Sequence, residues 1–145
     1  MFKSKVFIFL SLMSFAMVSC TPDADEILEA TSLPMKGTQS VPTNTSTGTG
    51  IINAKFNKST GILDYTVTWN ALTGPVVGMH FHKAARGSNG PVVKNIQSSG
   101  SATGSVTQSW TVPDSLQTTL EQGGLYVNIH TDGYPDGEVR GQVEF

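Results

Sequence analysis

Two runs near the C-terminal end of the sequence alternate apolar and polar residues at period two. Val127 and Ile129 alternate with Tyr126, Asn128 and His130. Val139, Val143 and Phe145 alternate with Glu138, Arg140, Gln142 and Glu144. Such alternation marks a half-buried strand. The intervening Asp-Gly-Tyr-Pro-Asp-Gly is dense in turn-forming residues, so the segment reads as a hairpin. If Ile129 is set against Val139 on the core side, His130 faces Glu138, Asn128 faces Arg140 and Tyr126 faces Gln142. A slip of one residue would exchange the two faces. The outward polar side of a hairpin is commonly just a solvated surface.

The same pattern recurs upstream. Residues 27–33, 50–56, 62–69, 76–82 and 100–112 read as further strands, the last weakened by its glycines. Within residues 62–69, Leu63, Tyr65, Val67 and Trp69 share one face, and Asp64, Thr66 and Thr68 share the other. Trp69, Trp110 and Tyr65 are expected as core aromatics. Only residues 114–122 look helical: Leu116 and Leu120 lie four apart, and Gly123-Gly124 ends the segment. Many short strands with one small helix argue for an all-β sandwich or closed barrel.

The first nineteen residues stand outside this pattern. Lys3 and Lys5 precede an apolar run far shorter than the roughly 20 residues of a spanning helix. This is the pattern of a secretory signal peptide over residues 1–19. Met17-Val18-Ser19-Cys20 resembles the lipobox of bacterial lipoproteins, with Met17 in place of the usual Leu. Cys20 is the only cysteine, and a lone thiol in an exported protein needs an explanation. Lipidation at Cys20 would tether the chain to a membrane without a spanning segment. Residues 20–26 then form a lipidated, acidic tether, and the domain occupies residues 27–145. Asp23, Asp25 and Glu26 also resemble the acidic run that some bacterial lipoproteins use as a surface-export signal. The expected location is the bacterial outer membrane or cell surface.

Cleavage removes two of nine basic residues and none of eleven acidic ones, leaving a net charge of −4. No basic patch remains, which argues against nucleic acid as a partner.

The chemistry-bearing stretch is Gly78-Met79-His80-Phe81-His82. On a strand, Met79 and Phe81 point one way and His80 and His82 the other. Two imidazoles two residues apart can ligate one cation. His130, the only other histidine, is also on the polar side of a strand. Three converging imidazoles suit one copper or zinc ion with an open coordination position. Tyr126, Asn128, Glu138 and Arg140 are candidates for the surrounding shell or for scaffold roles. The alternative is that the histidines hold the turn around residues 87–91. Glu138 and Arg140, two apart on one face, suit an ion pair with a neighbouring strand or an anchor for a ligand carboxylate. Ser88 lacks the strained turn of a hydrolase nucleophile. Asp132, Asp136 and Glu138 read more simply as turn and surface residues than as paired catalytic carboxylates.

Four motifs in order carry a resemblance: His80-Phe81-His82, Gly87-Ser88-Asn89-Gly90-Pro91-Val92-Val93, Gly124-Leu125-Tyr126-Val127-Asn128-Ile129-His130-Thr131, and Gly137-Glu138-Val139-Arg140-Gly141-Gln142. Together they resemble the CHRD domain, named for chordin and common in bacterial exported proteins. The resemblance implies an immunoglobulin-like β-sandwich or barrel over residues 27–145 and little about activity. Animal members usually carry a cysteine between the Arg and Gly of the last motif, whereas Gly141 follows Arg140 directly here. The His-x-His strand is also similar to that of copper/zinc superoxide dismutases, but three histidines cannot build a dinuclear site. The resulting expectation is a lipid-anchored, non-enzymatic binding or structural module with a membrane and a protein or glycan as partners. The alternative is a mononuclear copper- or zinc-binding protein with redox capability.

Overall fold

A computed structural model describes residues 26–145. The signal peptide, Cys20 and most of the acidic tether lie outside the described residues. Eight strands form one antiparallel sheet: β1 (Ile27–Lys36), β2 (Thr49–Asn57), β3 (Ile62–Asn70), β4 (Val76–Lys83), β5 (Val92–Asn95), β6 (Gly104–Thr111), β7 (Leu125–Thr131) and β8 (Tyr134–Val143). The order across the sheet is β5-β4-β7-β8-β1-β2-β3-β6. The sheet curls so that its inner face closes on itself, giving the all-β, barrel-like architecture that the alternation predicts. A short helix, α1 (Asp114–Glu121), precedes β7 and buries Leu120. No helix among the described residues is long and apolar enough to cross a membrane.

The period-two pattern explains the core. Leu63, Tyr65, Val67 and Trp69 of β3 turn inward, where they meet Met79 and Phe81 of β4 and Val127 and Ile129 of β7. Phe81 meets Tyr65 edge-on at a centroid separation of 4.9 Å and lies 5.4 Å from Trp110. This places the residue between His80 and His82 at the centre of the aromatic packing, so β4 is held rigidly from its inner side.

The outer face of β4, β7 and β8 is not a solvated surface. Tyr126, Asn128, Arg140 and Gln142 are all buried. Residues 84–91 bond Tyr126, Arg140 and Gln142: Gly90 N donates to Tyr126 Oη, Arg140 donates to Ser88 and Ala85, and Gln142 donates to Ala84 and, outside this loop, to Gly123. Asn89 donates to Val41, and an exposed Arg86–Glu144 ion pair at 2.9 Å ties the loop to the C-terminal end of β8. Buried polar side chains require partners, and here they obtain them from loop backbone.

The β7–β8 register agrees with the expected one for Ile129 against Val139, Asn128 against Arg140 and Tyr126 against Gln142. It departs at His130. The register shifts between Ile129 and Thr131, and Thr131 pairs with Tyr134 across a tight turn, leaving residues 135–138 of β8 as a bulge opposite His130. His130 therefore does not face Glu138. Gly137 enables this bulge. Its φ is +116°, a region that penalises side chains, and any Cβ there would collide with the Asn128 carboxamide.

Candidate metal centre

β4 and β7 pair so that Gly78 lies opposite His130, His80 opposite Asn128, and His82 opposite Tyr126. His80, His82 and His130 thus share the outer face across two adjacent strands. Gly78 leaves room for the His80 ring: a Cβ at this position would lie a tight 3.1 Å from His80 Cε1 and in ordinary contact, 3.7 Å, with His130 Cδ2. The ring centroids are 5.1 Å apart for His80 and His130, and 5.6 Å apart for His80 and His82. One ring nitrogen from each residue lies within 4.8 Å of the others. Tetrahedral ligation at 2.0–2.1 Å separates donors by about 3.4 Å, so small side-chain rotations would close the set.

Two of the three rings are oriented by backbone carbonyls. His82 Nδ1 lies 2.9 Å from the Gly90 oxygen, and His130 Nδ1 lies 2.8 Å from the Pro135 oxygen. A carbonyl only accepts, so each Nδ1 carries the hydrogen and donates it. In the neutral ring, each Nε2 then presents a lone pair. This is the arrangement that fixes tautomer and direction in metal-ligating histidines. Both Nε2 atoms are buried without a partner, as is His80 Nδ1.

The surroundings of His80 and His82 favour their neutral forms. Burial lowers the His80 pKa below its ordinary value, and the neighbouring His130 and His82 lower it further. Burial likewise lowers that of His82. The Gly90 hydrogen bond opposes this, while His130 and Arg140 add to it. Neutral imidazole is the form that ligates.

The remaining candidates divide. Tyr126 stacks against His82 with centroids 4.8 Å apart and planes 7° from parallel. Arg140 Cζ lies 3.5 Å from the Tyr126 ring centroid. Asn128 donates to the Asp136 carbonyl, and its Oδ1 is buried without a partner. These three residues surround the histidine cluster. Glu138 does not belong to it, nor does it pair with Arg140. Its carboxylate accepts from Ser46 Oγ at 2.6 Å, Thr73 N at 2.8 Å, Thr73 Oγ1 at 2.9 Å and Thr131 Oγ1 at 2.7 Å. Burial raises its pKa, but the four donors outweigh that and hold it below the ordinary carboxylate value. Arg140 has only neutral hydrogen-bond acceptors: the carbonyls of Ala85 and Ser88, and Gln142 Oε1. The expected ion pair is therefore replaced by two separate neutral shells. Asp132 and Asp136 are exposed, and no carboxylate or thiolate joins the three imidazoles among the described residues.

Sequence reasoning did not find Gly78, Gly90 and Pro135 as parts of this site. Two of them act through carbonyl oxygens, which carry no sequence signal. Gly78 becomes meaningful only once it is known to lie opposite His130.

The fold and the site define a small antiparallel β-barrel domain with three inward-converging imidazoles on its covered outer face. Residues 31–143 match the CHRD domain family, and the chain belongs to it. No curated protein and no solved structure matches the chain.

Proposed function

We propose that this CHRD domain is a non-enzymatic binding module whose ligand is one transition-metal ion, zinc or copper, held by His80, His82 and His130. One observation carries this reading. Among the described residues, five buried side-chain nitrogen or oxygen atoms have no hydrogen-bond partner: Ser40 Oγ, His80 Nδ1, His82 Nε2, His130 Nε2 and Asn128 Oδ1. Three of these are imidazole nitrogens, one from each histidine of the cluster, and Asn128 sits directly across the strand pair from His80. An orphaned buried polar atom is costly. A cation satisfies converging lone pairs; a scaffold of mutually bonded histidines would have paired them. His82 does bond the loop of residues 84–91 through Nδ1, and this leaves Nε2 free for ligation. Imidazole suits both zinc and copper.

The proposed setting is the bacterial envelope, with residues 1–19 as signal peptide, Cys20 as lipid-bearing residue and residues 21–26 as tether. The single cysteine and the Met17-Val18-Ser19-Cys20 sequence support this.

Elemental analysis of residues 21–145, purified without a metal-binding tag, tests the metal. The expected result is one zinc or copper per chain after incubation and dialysis, and none in a folded His80→Ala/His82→Ala variant. No retained metal in the parent would exclude the proposal.

A further inference from the structure

Three protein donors leave a zinc or copper ion short of its usual coordination number. The charges around the site determine what completes it. All three ligands are neutral, so a divalent ion would keep its full charge. Among the described residues no carboxylate joins the donors, and the Glu138 carboxylate is already saturated by Ser46, Thr73 and Thr131. The nearby fixed charge has the same sign as the metal. Arg140 is 1% exposed, has no anionic partner and remains a cation. Its guanidinium lies 3.5 Å from the Tyr126 ring, which itself lies 4.8 Å from the His82 ring, so its distance from His82 cannot exceed the sum of those separations. The unpartnered ring nitrogens are themselves buried, but the His80 and His130 side chains are partly exposed, so an anion would enter past these two rings.

We infer that the fourth position of the metal site takes a small inorganic anion in preference to a neutral ligand, drawn by the uncompensated metal charge together with Arg140. The inference rests on the metal-binding reading above. The anion binds at the metal through its own lone pair, on the partly exposed side between His80 and His130. Asn128, which lies opposite His80, is uncharged, so no protein carboxylate competes with the anion there. The contribution of Arg140 is electrostatic, because its donors are already engaged with Ala85, Ser88 and Gln142.

Azide is a suitable probe because its binding to Cu²⁺ gives a charge-transfer band. The copper-loaded protein would be titrated with azide and, separately, with neutral imidazole. The expected result is a saturable change at one azide per copper, with azide bound more tightly than imidazole. Arg140→Gln retains donors for the loop carbonyls and is expected to weaken azide several-fold while changing imidazole binding little. If copper loads but azide produces no saturable change, the inference is overturned and the metal-binding reading stands. If imidazole binds as tightly as azide, or a folded Arg140→Gln binds azide like the parent, the electrostatic preference is overturned. If copper does not load, the metal-binding reading itself fails.

Discussion

Replacing Glu138 by alanine is expected to cost about 3–4 kcal/mol of folding stability. The carboxylate is fully buried and collects four hydrogen bonds from three separate segments: Ser46 ahead of β2, Thr73 ahead of β4, and Thr131 at the end of β7. It acts as a rivet across one end of the barrel. Truncation leaves these donors in a poorly hydrated space, and the Thr73 backbone N–H has no alternative partner in the fold. Glu138→Gln, which keeps the shape but turns an NH₂ toward donors, is expected to cost about 1–2 kcal/mol. Urea denaturation of the two variants against the parent measures both. The same shell predicts acid sensitivity. The Glu138 pKa is lowered in the folded state, so its contribution is complete above the unfolded carboxylate value and is lost as pH falls through the folded value. The parent should lose stability as pH falls below about 4.5, and Glu138→Gln should lose less over that range. Equal slopes in the two proteins would mean that other carboxylates dominate the acid transition.

The second large effect is ligand-linked. A metal that binds only the folded state adds about 2.7 kcal/mol of stability at a free concentration one hundred times its dissociation constant. Zinc at that excess should raise the thermal midpoint by roughly 8–10 °C for a domain of this size. His130→Ala should remove most of this shift, because two imidazoles from one strand remain without the third. Gly78→Val should reduce it too, by occupying the space in which His80 and His130 approach. Phe81 anchors β4 from the inner face and provides the contrast: Phe81→Ala should lower the midpoint of the metal-free protein by about 3–5 kcal/mol worth of stability without removing a ligand. Measuring metal-free and metal-loaded midpoints in parallel separates ligand loss from core damage.

Much of this arrangement is legible in the residues themselves. Alternation places Met79 and Phe81 inside and His80 and His82 outside, and seven of the eight strands follow from such runs. The eighth, β5, is four residues long, sits at the sheet edge and has no inward-outward period, so the pattern assigns no strand there. β1 extends past its apolar run through Pro34, which pairs with Ile51 of β2. The burial of Arg140, Gln142 and Tyr126 was not legible, because their cover is loop backbone from residues 84–91. Carbonyl groups look alike in every sequence. The separation of His130 from Glu138 was hidden for a related reason: a bulge adds residues without breaking the apolar alternation on either side. The convergence of three histidines was partly legible. Side-chain parity puts each on a polar face, while the pairing of Gly78 with His130 brings those faces together.

The layout also explains how a domain with few charged residues would hold the proposed metal without acidic ligands. The loop of residues 84–91 performs two tasks through its carbonyls. It neutralises the hydrogen-bonding demand of Arg140, and through Gly90 it sets the tautomer of His82. The Pro135 carbonyl, in the bulge that Gly137 permits, does the same for His130. Orientation of the ligands is thus built into the two loops that flank the site.

The most direct test is a crystal structure of the zinc-soaked domain with diffraction data collected on both sides of the zinc absorption edge. A single anomalous peak is predicted about 2.0–2.1 Å from a ring nitrogen of each of His80, His82 and His130, with the Gly90 and Pro135 hydrogen bonds retained. Anomalous density that is absent there, or present only at exposed acidic residues elsewhere, would contradict the account.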